Sequence, residues 1–275
     1  MKHDTKLRIL LASLLLMLGC SAIQPPDAGG PKGNQPAYPI LFPEDPQRRE
    51  AANAAFSQAL GQPIKTGAAT VSLQPITATI ASIPSSISVF LPKVGTKPTM
   101  TEEETRESLR RFLDEWQQVI GTKPDDLSLV ERTDLPGGLK LARYKQLPFR
   151  YPLRGPYGKL EIQFTSDRRV TNLSSTCIPD TDRLQSSLNA ITPVLKSEDA
   201  VTFVKDNGAS YKTSTGSVQT IRPAPNSLDA SELVFYVMPS PTGLEFHLAW
   251  AVNVSNGPVK TIYVDAIKAL VLGVD

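Results

Sequence analysis

The sequence predicts an α+β protein with two units, each a helix followed by an antiparallel sheet, after a disordered N-terminal tether. Two stretches, beginning at Thr101 and at Ser197, have the apolar spacing of an amphipathic helix. Each is followed by short runs in which apolar and polar residues alternate, as they do in half-buried strands. The connections between these runs are too short for a parallel return, which needs a dozen or more residues. The same helix-and-sheet unit is therefore predicted twice.

The first unit has the clearest helix signals. A helix over 101–120 should begin at Thr101, which forms a capping-box pattern with Glu104, and end at Gly121. Its apolar residues recur at spacings of three and four, and this stripe makes Trp116 a core residue. Strands are predicted at 127–132, 139–147, 159–165 and 169–176.

The second unit follows the same plan. Its helix should begin at Ser197 and stop at Asn207-Gly208. Asn256-Gly257 is typical of a β-hairpin turn and lies between the last two predicted strands. The predicted strands are 217–222, 232–238, 244–254 and 260–264.

Residues 44–98 precede the first unit. A helix is predicted over 44–60, and short edge-like strands separated by prolines over 69–94. The helix carries one pair of large apolar residues, Phe56 and Leu60. We therefore expect it to dock weakly.

Residues 1–19 have the layout of an export signal, with basic residues, an apolar core and then Gly19 before Cys20. The apolar run is shorter than the roughly 20 residues that span a bilayer. Residues 20–43 are rich in proline and glycine and predict a tether.

Met17-Leu18-Gly19-Cys20 resembles the lipobox of bacterial lipoproteins. The resemblance implies signal cleavage between Gly19 and Cys20 and lipidation of Cys20. More than one acyl chain on a residue gives stable membrane anchoring. Ser21 follows, where an aspartate would favour inner-membrane retention. The expected location is the bacterial cell envelope, at the outer membrane if the host is Gram-negative.

The charge balance argues against a nucleic-acid partner. The chain has 29 Lys and Arg and 27 Asp and Glu residues, and loss of residues 1–19 leaves 26 of each. Attraction to phosphates needs clustered basic charge. No nucleic acid is expected among the partners.

Residues with catalytic or metal-binding chemistry are few. Once Cys20 is lipidated, Cys177 has no disulfide partner, and we expect it to be a buried apolar residue. His247 is the one histidine after the signal, so a histidine-rich zinc site cannot form. On a strand it would share a face with Glu245 and Ala249, and we expect it to be solvated. No catalytic, cofactor-binding or metal-ligating residue is assigned.

Two stretches resemble a known domain pair. Residues 101–180 contain Leu141-Ala142-Arg143-Tyr144-Lys145-Gln146-Leu147-Pro148 and are similar to the fungalysin/thermolysin propeptide-like (FTP) domain. Residues 196–275 contain Ala249-Trp250-Ala251-Val252 and Ile262-Tyr263-Val264-Asp265-Ala266 and are similar to the PepSY domain. The resemblance implies cystatin-like folds. Ile267-Lys268-Ala269 departs from the PepSY pattern and predicts a differently built final turn.

In secreted metallopeptidases this pair forms a propeptide that assists folding of the enzyme and holds it inactive. No peptidase follows residue 275, so the resemblance implies action in trans on another exported protein. An exposed sheet edge in 69–94 is the candidate contact, because an extended segment can add to an edge as a strand. The predicted division is 1–19 signal, 20–43 tether, 44–98 helix and edge strands, 99–180 FTP-like and 181–275 PepSY-like.

Three functions stay open. The favoured one is a non-catalytic, membrane-anchored lipoprotein that binds or modulates another envelope protein, with a peptidase as one candidate. The alternative is a structural envelope lipoprotein. The minor alternative is an enzyme that uses carboxylates, with Asp265, Glu161 or Glu245 as nominal candidates. Paired carboxylates need a defined separation and a perturbed environment, which the sequence does not supply.

Overall fold

The computed structural model describes residues 37–60, 71–84, 86–97, 99–212 and 217–275, and these form an α+β structure. The helices are α1 Pro46–Ala59, α2 Glu102–Glu115, α3 Gln117–Ile120, α4 Thr181–Asn189 and α5 Ser197–Asn207. The strands are β1 Ile40–Pro43, β2 Ser72–Leu73, β3 Ile80–Ser82, β4 Val89–Phe90, β5 Leu127–Leu135, β6 Leu139–Gln146, β7 Leu153–Arg154, β8 Lys159–Thr165, β9 Arg169–Ser175, β10 Ala209–Lys212, β11 Val218–Ile221, β12 Leu228–Ser240, β13 Gly243–Val254, β14 Thr261–Asp265 and β15 Val271–Val274. The predicted signal and the first part of the tether lie outside the described residues.

The first sheet has the strand order β4-β9-β8-β6-β5, with antiparallel pairing throughout. The predicted meander is therefore confirmed. The capping box at the start of α2 is also confirmed, with Thr101 N–H donating to Glu104 Oε2 at 2.8 Å and Glu104 N–H donating to Thr101 Oγ1 at 3.2 Å. Gly121 ends α3 in the left-handed conformation. The sequence predicts both helix ends correctly because the capping box and the glycine stop each act within one turn of the helix.

The core of the first unit lies between this sheet and helices α1 to α3. Trp116 is buried as expected and stacks on Phe112 with ring centroids 5.1 Å apart. Phe56 of α1 is completely buried and meets Trp116 edge to face at 5.7 Å. This packing argues against the expected weak docking of α1, because one aromatic ring inserted into an existing core buries a large apolar surface.

The second sheet has the order β15-β14-β13-β12-β7, and β1 also pairs with β13. Apolar residues on one face of β13, among them Phe246, Leu248 and Val252, pack against Leu188 of α4 and Val204 of α5. The predicted strand 217–222 corresponds to β11, but β11 pairs with β10 in a separate ribbon and not with this sheet.

Ile40–Pro43 corrects the predicted boundary of the tether at residue 43. This segment is β1 and pairs with Gly243–Phe246 of β13. Ile40 and Phe42 point into the core of the second unit and are buried. The sequence did not indicate this strand because its partner lies some 200 residues away, at Phe246. Long-range pairing leaves little local signal.

The two sheets are linked by the connection between β6 and β8. Within it, β7 belongs to the second sheet and pairs in parallel with β12, so the prediction that this sheet is antiparallel throughout is wrong. The buried side chain of Gln146, at the end of β6, donates to Thr122 Oγ1 and to the Ile178 carbonyl, both at 2.9 Å. Its Oε1 accepts from Ile178 N–H at 2.8 Å. Gln146 thus holds the chain where it passes from the first unit to the second.

Candidate functional site

The face of the first sheet that points away from α2 carries a groove of ≈740 Å³. We call it the outer groove and define it by Glu131, Arg143, Lys145, Lys159, Glu161 and Ser174. Successive side chains of a strand point to opposite faces of a sheet. Because the alternate residues of β6 and β8, such as Tyr144 and Ile162, belong to the core, these charged residues face outward. Val130 of β5 forms an apolar part of the wall and is 51% exposed.

One row across the outer groove is an ion-pair network. Arg143 Nη1 donates to Glu131 Oε2 at 2.7 Å, and its Nε donates to Glu161 Oε2 at 3.0 Å. The hydrogen bond from Arg143 lowers the pKa of Glu131 below its ordinary value, and the two carboxylates raise the pKa of Arg143. The three residues lie opposite one another on β5, β6 and β8. Both carboxylates are therefore held by the arginine.

In the next row across the outer groove, the positive charges have no carboxylate partner among the described residues. Lys145 of β6 and Lys159 of β8 lie directly opposite each other in the register. Both side chains are exposed, and neither forms an ion pair within the described ranges. Ser128 of β5 and Thr176, the residue after β9, flank them. Like charges directly opposite each other destabilise a sheet. This pair therefore has no evident role in holding the sheet together.

A cavity of ≈110 Å³ adjoins the lysine pair. Arg154 and Asp275 line it together with the two lysines. Arg154 Nη2 donates to Glu232 at 2.9 Å, and Asp275 Oδ2 accepts from the Tyr263 hydroxyl at 2.6 Å. Burial, followed by the hydrogen bond to Asp275, raises the pKa of Tyr263. Arg154 is thus paired with Glu232, whereas Asp275 accepts from a neutral hydroxyl and keeps its negative charge. Within the described ranges no ion pair joins Asp275 to Lys145 or Lys159, so the two lysines stay unpaired beside it.

His247 lies in a buried network on the second sheet, so the expectation that it is solvated is wrong. It is 6% exposed. Its Nδ1 is 2.8 Å from Asp265 Oδ2, and its Nε2 is 3.1 Å from Glu245 Oε2. The Tyr38 ring packs edge-on against the imidazole, with centroids 5.6 Å apart. The predicted face of the strand was correct, but Tyr38 covers it from a segment that was assigned to the tether.

The position of this network follows from the topology. β1 and β14 lie along the same edge of β13, β1 against Gly243–Phe246 and β14 against Ala249–Asn253. His247 lies where the two strands meet. The Tyr38 hydroxyl crosses this junction and donates to Asp265 Oδ2 at 2.8 Å.

Asp265 is the centre of the network and is fully buried. Its Oδ1 accepts the backbone N–H groups of Ile267 and Lys268, both at 2.8 Å. Burial alone would raise its pKa, but hydrogen bonds from His247, the two backbone groups and Tyr38 together lower it below the ordinary value. Burial, followed by the charge of Asp265, raises the pKa of Tyr38. Asp265 also builds the turn that the departure from the PepSY pattern predicted to be different.

The geometry of the network suits a structural role, in which it holds two strands together. Each ring nitrogen of His247 faces a carboxylate, and no serine, threonine or cysteine side chain of the described residues hydrogen-bonds to it. The nominal carboxylates Asp265 and Glu245 are brought together, whereas Glu161 lies in the outer groove. Among the described residues, no group of three His, Cys, Asp or Glu side chains could hold a metal ion. The arrangement joins the start of β1 to the end of β14.

Cys177 is buried, as expected. Burial raises the pKa of its thiol to about 12, so the thiolate is scarce at neutral pH. Gly19 and Cys20, the predicted cleavage and lipidation residues, lie outside the described residues.

A third cavity, of ≈620 Å³, lies where α1, α3 and the start of α4 meet. Lys123 pairs there with Asp182 at 3.0 Å, and Arg48 donates to the carbonyls of Pro43 and Ile76 at 3.3 and 3.2 Å. Asp45, Asp126 and Asp180 also line this cavity.

Sequence reasoning missed Tyr38, the lysine pair and the outer groove. The alternation in β6 and β8 already placed Lys145 and Lys159 on the outward face. That they face each other depends on the register across the connection between β6 and β8, which the sequence does not determine. The edge predicted in 69–94 offers little backbone, since β4 is two residues long and pairs with β9.

No protein-family model matches the chain, and no curated protein matches it. The FTP and PepSY resemblances therefore stay predictions. No helix in the described part of the chain is long and apolar enough to cross a membrane.

Proposed function

We propose that the protein is a non-catalytic, lipid-anchored lipoprotein of the bacterial cell envelope that binds and modulates another exported protein, with an exported peptidase as the first candidate. The observation that carries the proposal is the outer groove, an accessible concave sheet face of ≈740 Å³ with two unpaired lysines and an exposed apolar wall. A surface that combines apolar contact with free charge is suited to a protein segment.

The chemistry of the titratable groups favours binding over catalysis. A general base needs a free nitrogen or oxygen within hydrogen-bond reach of the proton that it takes. Both nitrogens of His247 are engaged by carboxylates, and Glu131 and Glu161 are engaged by Arg143. The groove offers contact surface and charge.

The N-terminal residues support the envelope location. The lipobox-like Met17-Leu18-Gly19-Cys20 would place two or more acyl chains on Cys20. From Cys20 to Gln35 the sequence is rich in proline and glycine, and such a composition suits a spacer between membrane and folded part. The binding surface would then act close to the membrane.

Site-specific photo-crosslinking in intact cells tests the binding. A photoreactive amino acid at Val130, which is 51% exposed in the groove wall, should capture one defined envelope protein. The matched control is Val194, which is 64% exposed and lies outside the groove, and it should not capture that protein. Equal capture from both positions, or none from Val130, contradicts the proposal.

Fractionation of the same cells tests whether Cys20 carries the lipid anchor. Cys20→Ser removes the thiol that the lipobox resemblance assigns to the lipid, so the protein should move from the membrane fraction to the soluble fraction. A Cys20→Ser protein that stays in the membrane fraction would show that the anchor is elsewhere.

A further inference from the structure

We propose that the outer groove recognises an extended peptide segment through a single acidic side chain, whose carboxylate lies between Lys145 and Lys159. This inference rests on the proposed function and names the chemistry of the partner at the same site.

The register brings the two ammonium groups to one place. Lys145 and Lys159 are directly opposite each other on β6 and β8, where cross-strand Cβ atoms are about 4.5–5.5 Å apart. A carboxylate between two such side chains can accept a charge-assisted hydrogen bond from each. Such a ligand would remove the like-charge repulsion that the free protein carries.

The neighbouring row of charged residues shows how opposite charges are paired on this sheet. There, Arg143 lies between Glu131 and Glu161 and binds both. In the lysine row, β6 and β8 both carry a positive side chain, and Ser128 on β5 and Thr176 just after β9 carry no charge. A carboxylate from a partner, placed between the two lysine side chains, would supply the negative charge that this row lacks.

The total charge disfavours a polyanion. Across the two rows, Arg143 and the two lysines face Glu131 and Glu161, and Asp275 lies in the adjoining cavity. These three positive and three negative groups sum to zero, so the positive charge open to a ligand is confined to the lysine pair. A second anionic group on the ligand would lie beside Glu131 or Glu161, and like charges placed together are destabilising. Phosphate-rich partners are disfavoured on the same ground.

The residues that line the outer groove around the lysines indicate what flanks the acidic side chain in the ligand. Val130 and Pro156 line the outer groove on either side of the charged rows. Ser174 and Asn172 of β9 offer hydrogen-bonding groups along its floor. An extended peptide with apolar residues on both sides of its acidic residue fits these surroundings. The recognition should weaken with salt, because the two lysines are exposed to solvent.

The test is selection from a displayed library of random linear peptides on the purified full-length protein. Selected peptides should share one acidic position, and replacing that residue by its amide should reduce affinity by about tenfold. The double variant Lys145→Gln/Lys159→Gln should lose the same factor and should no longer distinguish the acid from the amide. Lys93→Gln/Lys97→Gln removes two exposed lysines outside the groove and should bind as the wild type does.

Lys145→Glu separates lost binding from lost folding. The new carboxylate would face Lys159, so the melting temperature should rise while binding of the acidic peptide is lost. Peptides that bind without an acidic position, or that bind Lys145→Glu equally well, overturn the inference and leave the proposed function standing. If the library contains no binding peptide, the inference and its account of the groove both fail.

Discussion

Replacing Asp265 with alanine is expected to lower the free energy of unfolding by about 3–5 kcal/mol, the usual cost of removing one partner from a buried charged pair. The change would leave His247, the Tyr38 hydroxyl and two backbone N–H groups without their acceptor. Chemical denaturation at neutral pH measures this directly. Asp134→Ala is the matched control, because Asp134 is exposed and its contact with Lys140 is 4.0 Å long. It should cost less than about 0.5 kcal/mol, and a similar small loss for Asp265→Ala would contradict the account of the network.

The same variant has a defined pH dependence. Because the pKa of Asp265 is lowered in the folded protein, its ionisation contributes stability above the unfolded-state value of about 3.9. That contribution is lost as the pH falls through the lower folded-state pKa. The difference in stability between wild type and Asp265→Ala should therefore shrink as the pH falls into the acid range. A difference that grows on acidification would show that the carboxylate is not stabilised as the geometry indicates.

Phe56→Ala is expected to cost about 3–5 kcal/mol, as is usual when a large aromatic side chain is removed from a core. Phe56 is completely buried and packs edge to face on Trp116, so the change opens a cavity between α1 and the first core. Gln58→Ala, on the exposed side of the same helix, is the control and should have little effect. Thermal or denaturant unfolding provides the comparison. Equal effects of the two substitutions would mean that α1 docks as weakly as its composition suggests.

The parts of the fold that the sequence predicted are those with local causes. The segment predicted as one helix over 101–120 has its cap, its apolar stripe and its stop, but it is broken at Trp116 into α2 and α3. The meander of β5, β6, β8 and β9 followed from short connections and alternation, which act between neighbouring strands. The left-handed Gly121 was likewise predictable, since its position after an apolar stripe is a common helix stop.

The parts that were missed depend on contacts between distant segments. β1 has four residues and forms a strand by pairing with Gly243–Phe246, which lie far away in the sequence. The parallel pair of β7 with β12 joins the two sheets across some eighty residues, from Leu153 to Phe235. Helix α4 and strand β15 are short elements whose burial comes from the second core.

The sequence predicts which residues of the candidate site face outward, but not how they are arranged relative to one another. Outward-facing Lys145, Lys159 and Glu161 follow from strand alternation, but the register decides which of them are paired. His247 was placed on the correct face of its strand, and its burial depends on Tyr38, which arrives from the other end of the chain. Sequence patterns give the face of a strand but not what covers it.

Lysine reactivity in isolated envelopes tests the central claim that the outer groove holds a partner. The full-length protein is acetylated briefly in envelopes and, separately, after purification, and each lysine is quantified by mass spectrometry. Rates at Lys145 and Lys159 are normalised to those at Lys93 and Lys97, which are exposed and lie outside the groove. If a partner fills the groove, Lys145 and Lys159 should react several times more slowly in envelopes than in the purified protein. Equal normalised rates in the two preparations would contradict the binding of a partner in the outer groove.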